Sequence, residues 1–256
     1  MAKAYLQYRM RAKKRHGVHS PFVYALSEEV FHKNAAKKAK EIGALRKVLL
    51  RNRTAIEVKD YGAGSRKGSK PNRTIAEIAR NSTSPETMAQ MMQRLISYLR
   101  AENVLELGAN LGLTTAYLAA APVENLQVKS LEGDPSLAKI AVKNLQKIGL
   151  EAEIVVGKFE DTLDLTLARL PQIDFAYIDG NHRKAPTLDY FQKLLTKTTD
   201  NSVLAFGDIH WSEGMEEAWQ KIKEDDRITL TIDLFDLGLV FFRKGHAEKE
   251  HFTIRL

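Results

Sequence analysis

The residues best suited to chemistry lie in one stretch, Asn103-Val-Leu-Glu-Leu-Gly-Ala-Asn-Leu-Gly-Leu-Thr-Thr115. Val104, Leu105 and Leu107 form a short apolar run, the pattern of a strand buried on both faces of a parallel sheet. Gly108 follows at once, Gly112 comes four residues later, and Thr114-Thr115-Ala-Tyr-Leu continues as a helix. Strand, glycine turn and helix open a βαβ unit whose helix N-terminus offers unpaired N–H groups and a positive dipole end to a polar ligand. Glu106, just before the turn, narrows the choice of ligand. A pyrophosphate is repelled there, whereas a ligand carrying an ammonium group is held.

In a doubly wound sheet, ligands bind outside the carboxyl ends of the strands, so the remaining strand ends are read for the same edge. The first supplies Glu106, Gly108, Ala109, Asn110, Gly112 and Thr114. The second, Val128-Lys-Ser-Leu-Glu132, ends in an acid followed by Gly133-Asp134-Pro135. Glu132 falls where an acid reaches the ribose hydroxyls of a bound nucleoside. The third end offers Gly157 and Phe159 beside a flat base. The fourth ends in Asp179 and His182, the fifth in Asp208 and His210. A single acid at a strand end is often only the cap of the next helix. Five successive strands delivering ligand-type residues point to one binding edge.

The elements that must position these residues follow from periodicity. Strands are expected near 126–132, 152–156, 173–178 and 202–206, with helices near 135–148, 160–169, 184–196 and 213–223. This alternation implies parallel pairing and a doubly wound α/β sheet. Arg227–Phe235 and Leu237–Arg243 follow almost without a gap and read as an antiparallel hairpin, and His251–Leu256 adds a short edge strand. Upstream, Ile75, Ile78 and Ala79 mark a short helix. Ser84-Pro85-Glu86 starts another, with Met88, Met91, Met92, Leu95, Ile96 and Leu99 on its apolar face, a core stripe rather than a cofactor box. Basic residues 3–15 read as a helix. Ser20 and Pro21 cap and begin a further one, and a third runs from about Asn34 to Arg53. His16 and His19 read as turn chemistry, since no third metal ligand accompanies them. Asp60-x-Gly-x-Gly64 imitates a nucleotide-binding turn, but the Arg-Lys-Gly-Ser-Lys-Pro that follows cannot open a helix against a strand, so the segment reads as a loop.

Composition sets the outer limits. The 256-residue chain is 44% hydrophobic and 28% charged, without cysteine, which excludes disulfides, thiolate metal sites and cysteine nucleophiles. It has neither an apolar run of membrane-spanning length nor a signal-peptide core, so the expectation is a cytoplasmic protein without a membrane partner. The net charge of +7 is uneven. Residues 1–73 hold 19 Lys/Arg against 5 Asp/Glu, and the rest 20 against 27. The boundary expected from this places a basic, mainly helical extension or lid at 1–73 and the sheet domain at 74–256. The basic region reads as a solvated helical face, with an RNA-facing arm as the alternative.

Together these residues resemble the class I S-adenosylmethionine-dependent methyltransferases, and within them the catechol O-methyltransferase-like group. The likeness covers about 84–210 and rests on Leu105-Glu-Leu-Gly-Ala-x-x-Gly-x-Thr114, Leu131-Glu-x-x-Pro135 and Ile178-Asp179; Asp179-Gly-Asn-His182 is similar to the Asp-Gly-x-His signature of one uncharacterised branch. It implies a Rossmann-like methyltransferase fold, a mostly parallel seven-stranded sheet, with S-adenosylmethionine as cofactor. Glu106, Gly108, Ala109 and Thr114 would hold the methionine end, Glu132 the ribose, and Gly157, Phe159 and Glu160 the adenine, with Asn110, Gly112, Gly133 and Asp179 also among the cofactor-binding residues. Where metal-dependent members carry Lys, this chain has His182, and where they carry Asp-Asn it has Asp208-Ile209. Asp179 and Asp208, with His210 as third candidate, still offer a set that suits Mg²⁺. The implied activity is O-methylation of a small-molecule acceptor, with His182 as general base and Asp179 beside it. An RNA-directed methyltransferase and a non-catalytic cofactor-binding module are the alternatives. A nicotinamide-dependent dehydrogenase is disfavoured, because it wants Gly-x-Gly-x-x-Gly and no acid before the turn. Acceptor identity and oligomeric state are not encoded in any pattern of the chain.

Overall fold

The computed structural model describes residues 2–13, 19–31, 38–59, 61–62, 71–244 and 248–256. His16, Asp60 and residues 63–70, and with them the histidine pair and the Asp-x-Gly-x-Gly segment, lie outside or only partly within the described residues. The chain divides into two compact units, Asn34–Arg169 and Met1–Lys33 with Leu170–Leu256. This division differs from a boundary at 73. The reason is packing: the first helix joins the last strand, whereas the third helix joins the glycine-turn half.

In the order of the chain, α1 (Ala2–Arg11) and α2 (Pro21–Leu26) precede α3 (Ala39–Leu49), and a π-helical turn at Ser27–Phe31 continues α2. Two short strands, β1 (Ala55–Glu57) and β2 (Asn72–Thr74), pair antiparallel. Next come α4 (Ile75–Asn81), α5 (Glu86–Leu99), β3 (Asn103–Leu107), α6 (Leu113–Ala119), β4 (Gln127–Glu132), α7 (Pro135–Lys147), β5 (Glu153–Val156) and α8 (Phe159–Ala168). The second unit continues with β6 (Ile173–Ile178), α9 (Lys184–Leu195), β7 (Thr198–Gly207), α10 (Glu213–Glu224), β8 (Leu230–Asp233), β9 (Leu237–Phe241) and β10 (Glu250–Thr253).

Among the described residues the main sheet has eight strands rather than seven, because β10 adds to β8 in parallel. In Asn34–Arg169, β3, β4 and β5 pair in parallel in that order, with Leu107 opposite Leu131 and Glu132 opposite Val156. In the other unit β6 pairs parallel with β7, and the expected hairpin β8–β9 joins through β9, antiparallel to β7. The apolar runs explain the parallel part. Val104, Leu105, Leu107 and Leu131 are fully buried, as strands covered on both faces must be.

The helices cover these strands with predictable ends. Thr74 and Glu77 form a reciprocal capping box at α4, Asp134 caps α7 through the Leu137 N–H, and Ser212 caps α10 through the Met215 N–H. Ser20 stands at the N-cap of α2 with Pro21 at its first position, though the serine side chain makes no capping bond. In α5 the buried residues include Met91, Met92, Leu95 and Ile96. α3 contributes Ala39, Ile42, Leu45 and Leu49 to one cluster with Ile78, Leu113, Tyr117, Leu137 and Leu145. α1 is tied to β10 instead. Its Tyr8 hydroxyl donates to the Ile254 carbonyl at 2.6 Å, and Lys13 forms a parallel bridge with Ile254. The Tyr5 and Tyr8 rings both pack on Phe235. Among the described residues no helix is long and apolar enough to cross a membrane.

Candidate functional site

In Asn34–Arg169 the ends of β3, β4 and β5 are bonded to one another through their turns. Gly108 has φ +112°, Asn110 +50° and Gly112 +76°, so the chain turns back in the left-handed region that glycine enters without strain. A Cβ on Gly112 would also lie 3.0 Å from the Ala141 backbone, so this glycine lets α6 and α7 approach. The Gly108 and Ala109 N–H groups donate to the Leu131 carbonyl, and the Asn110 N–H donates to Glu132 Oε2 at 2.8 Å. The Asn110 side chain reaches back to the Ser82 carbonyl. Gly157, at φ +145°, donates its N–H to the Glu132 carbonyl.

Glu132 is the hub. Its Oε1 accepts the Asp134 N–H at 2.8 Å while Oε2 accepts from Asn110, and the Gly133 N–H is a further donor to the carboxylate. Two such oxygens side by side match the two hydroxyls of a vicinal diol. Burial pushes the Glu132 carboxyl above its ordinary value, and the backbone donors of Asp134 and Asn110 act in the opposite sense. Asp134 in turn accepts the Lys59 N–H at 2.8 Å, which fixes the chain just after β1. Phe159 is half-buried at the start of α8, and Glu160 beside it is exposed.

Glu106 sits deeper than its neighbours. It is fully buried, and its Oε2 accepts the Thr115 hydroxyl at 2.5 Å and the Ser130 hydroxyl at 2.6 Å. The carboxylate thereby pins β3 to α6 and to β4. Thr114 bonds through its hydroxyl to Ser84. Sequence reasoning passed over Ser130 and Thr115. The signal available was a polar residue at a strand position buried on both faces, which demands a partner.

The remaining predicted residues belong to the other unit. At the end of β6, Asn181 (φ +68°) and His182 (φ +48°) are left-handed, and the His182 N–H turns back to the Gly180 carbonyl. At the end of β7, Asp208 is also left-handed at +55°, its N–H bonded to the Asp236 carbonyl. Three non-glycine residues in this region store strain of the kind found at functional turns. Their result is a cluster. His182 Nε2 lies 3.8 Å from Asp179 Oδ1 and 3.9 Å from Asp208 Oδ2, and its ring faces Trp211 with centroids 5.9 Å apart. One ligand atom from each of Asp179, His182 and Asp208 falls within 4.8 Å of the others. Two carboxylates and an imidazole, all half-buried, fit a divalent cation. Gly207 makes room for this group, since a Cβ there would stand 2.5 Å from Asp179 Oδ1.

His210 does not join the cluster, which corrects its candidacy as a third ligand. Its Nε2 meets Asp233 at 3.0 Å and its Nδ1 meets Glu216 at 3.2 Å, while the ring stacks on Phe235. Burial disfavours the charged form, but the two carboxylates outweigh it and raise the His210 pKa above its ordinary value. His182 takes the place that sequence order had offered to His210.

Residues 105–209 match a protein family described as "Methyltransferase domain". The chain is 30% identical over 131 residues to the catechol O-methyltransferase of Niastella koreensis, covering 50% of this chain and 58% of that protein. It is 31% identical over 136 residues to the catechol O-methyltransferase of Mycobacterium tuberculosis, covering 52% and 60%. The chain thus spans less than two thirds of the length of these relatives. In structure it resembles the S-adenosylhomocysteine-bound Podospora anserina methyltransferase PaMTH1, with TM-score 0.63, 13% identity, and coverage of 87% of this chain and 94% of that one. At that identity the likeness concerns the fold.

Proposed function

We propose, from the premise that residues 105–209 carry a class I methyltransferase domain of the catechol O-methyltransferase-like group, that the chain transfers a methyl group from S-adenosylmethionine to a hydroxyl of a small-molecule acceptor. The observation that carries the reading is the Glu132 carboxylate at the end of β4, fixed by the Asn110 and Asp134 amides where an acid meets a ribose diol. Gly108, Ala109, Gly112 and Thr114 shape the turn for the methionine end. Gly133 lies beside the ribose, and Gly157, Phe159 and Glu160 flank the base. Glu106 serves this turn chiefly as the buried acid that fixes it, and its charge also favours an ammonium group nearby.

When bound, the cofactor supplies an activated methyl group on a sulfonium, so the protein's task is orientation and a deprotonated acceptor. His182 is the group suited to take the acceptor proton at Nε2, and Asp179 and Asp208 stabilise the imidazolium that results. A second reading rests on the same three side chains. Asp179, His182 and Asp208 would hold a divalent cation such as Mg²⁺, which would supply Lewis acidity that lowers the pKa of the acceptor hydroxyl, and His182 would then be a ligand, not a base. Calorimetry with S-adenosylhomocysteine, followed by a methyl-transfer screen over hydroxylated small molecules with and without EDTA, tests both. Failure to bind S-adenosylhomocysteine would overturn the function. Turnover that survives EDTA selects His182 as base, and turnover restored only by metal selects the cation.

A further inference from the structure

Among the described residues of the chain before α4, Tyr61 lies against Gly133 of the proposed nucleoside site. After β1, Val58 is buried and its N–H donates to the Pro71 carbonyl, and the Lys59 N–H donates to the Asp134 carboxylate. The first ties the chain to the residue before β2, and the second holds it against the end of β4. Two residues later the Tyr61 ring lies on Gly133, so close that a Cβ added to Gly133 would stand 2.8 Å from Tyr61 Cδ2 and 3.2 Å from Cε2. Gly133 therefore has no side chain because the tyrosine ring occupies that space. Gly133 is the residue between Glu132 and Asp134, the two acids that organise this edge. From the side of β5, the Lys158 ammonium stands 5.6 Å from the Tyr61 ring centroid, and Lys158 immediately follows Gly157 and precedes Phe159.

Tyr61 thus stands between Gly133, beside the proposed ribose site, and Lys158, the residue between two assigned to the base, yet it remains 42% exposed. A large aromatic ring that is anchored by its neighbours and still exposed over much of its surface is suited to a flat partner. We propose that Tyr61 is a cofactor-contact residue, packing its ring against the purine of the bound adenosine moiety. Gly133 is the clearance that lets the ring lie there, and the Lys158 ammonium stands over the ring at cation–π distance. This assignment rests on the cofactor reading above, and it gives the segment after β1 a direct part in binding.

The test is calorimetry with S-adenosylhomocysteine on the full chain, comparing wild type, Tyr61→Ala, Tyr61→Phe and Gly133→Ala. Stacking of a base on an aromatic side chain predicts binding roughly five- to hundredfold weaker for Tyr61→Ala, with Tyr61→Phe within about threefold of wild type. Gly133→Ala should weaken binding through displacement of the ring, and unchanged far-ultraviolet circular dichroism checks that each variant is folded. A Tyr61→Trp variant adds a direct readout, with indole fluorescence changing on ligand addition. Wild-type affinity in Tyr61→Ala, or silent fluorescence in a Tyr61→Trp protein that still binds, would overturn the assignment while leaving the cofactor reading intact. Absence of binding by the wild type would overturn both.

Discussion

Gly207 allows the geometry around Asp179 to be tested by a double-mutant cycle. It ends β7 without a left-handed backbone, so alanine meets no conformational penalty there, only a steric one. The new Cβ would fall 2.5 Å from Asp179 Oδ1 and 3.1 Å from its Cγ, where ordinary contacts begin at 3.4 Å. Relieving an overlap of that size by moving a packed carboxylate costs about 1–3 kcal/mol. At roughly 2–4 °C per kcal/mol, the melting temperature of Gly207→Ala should fall by about 2–12 °C. Turnover should fall by about a hundredfold, since displacement of a reacting group by about 1 Å has that effect. In Gly207→Ala with Asp179→Ala the overlapping carboxylate is gone. The two destabilisations should then be non-additive by about 1–3 kcal/mol, apart from a smaller residue from the Tyr177 hydroxyl, 3.2 Å from the same Cβ. Thermal melts of the four proteins measure the coupling. Additive effects would show that the Asp179 carboxylate does not occupy the space beside Gly207, and the cluster with His182 would lose its footing.

Three further predictions follow from the same geometry. His182→Ala should lower turnover at least tenfold while S-adenosylhomocysteine affinity, read by calorimetry, stays within about threefold; unchanged turnover removes His182 from the chemistry. Gly112→Ala combines a left-handed backbone with a contact against α7, and should cost about 2–4 kcal/mol in thermal or denaturant melts. A loss below about 1 kcal/mol would mean that α6 and α7 part easily. For His210 the folded pKa is raised, so the stability it lends is fully present below its unfolded value near 6.5 and is lost as pH rises through the folded one. The melting-temperature gap between wild type and His210→Ala should therefore be widest near pH 6 and narrow towards pH 9, and a gap that grows with pH would contradict the Asp233–Glu216 clamp.

The parallel core was legible because strands buried on both faces announce themselves as unbroken apolar runs, as at Val104–Leu107 and Phe175–Ile178. The strand-end acids were legible for the same reason, since the register of a strand fixes what stands at its end. What sequence could not supply was direction after the turn. His182 and His210 stand at equivalent places in the chain, two or three residues past a strand-end acid, and only the left-handed backbone at Asn181, His182 and Asp208 decides which of them meets both carboxylates. Tyr61 was hidden differently. Its contact with Gly133 spans 72 positions of chain and leaves no periodic trace, and the glycine that marks it had another ready explanation as turn chemistry. Likewise the charge contrast at residue 73 reported surface character, while packing assigned α1 and α3 to different units.

The bond between Tyr8 and the Ile254 carbonyl has a consequence for how the chain comes to be folded at all. The partners are 246 residues apart, and α1 belongs to a unit whose strands are all made after Arg169. At roughly 5–20 residues per second, a ribosome delivers Ile254 some 12–50 s after Tyr8. Throughout that interval α1 has no docking strand, with Leu6 and Met10, exposed even in the finished fold, next to it. The continuous stretch Asn34–Arg169 can meanwhile close its own core. Helix α1 is therefore made long before the strand it docks on and settles only after it, and its basic side chains keep it soluble while it waits.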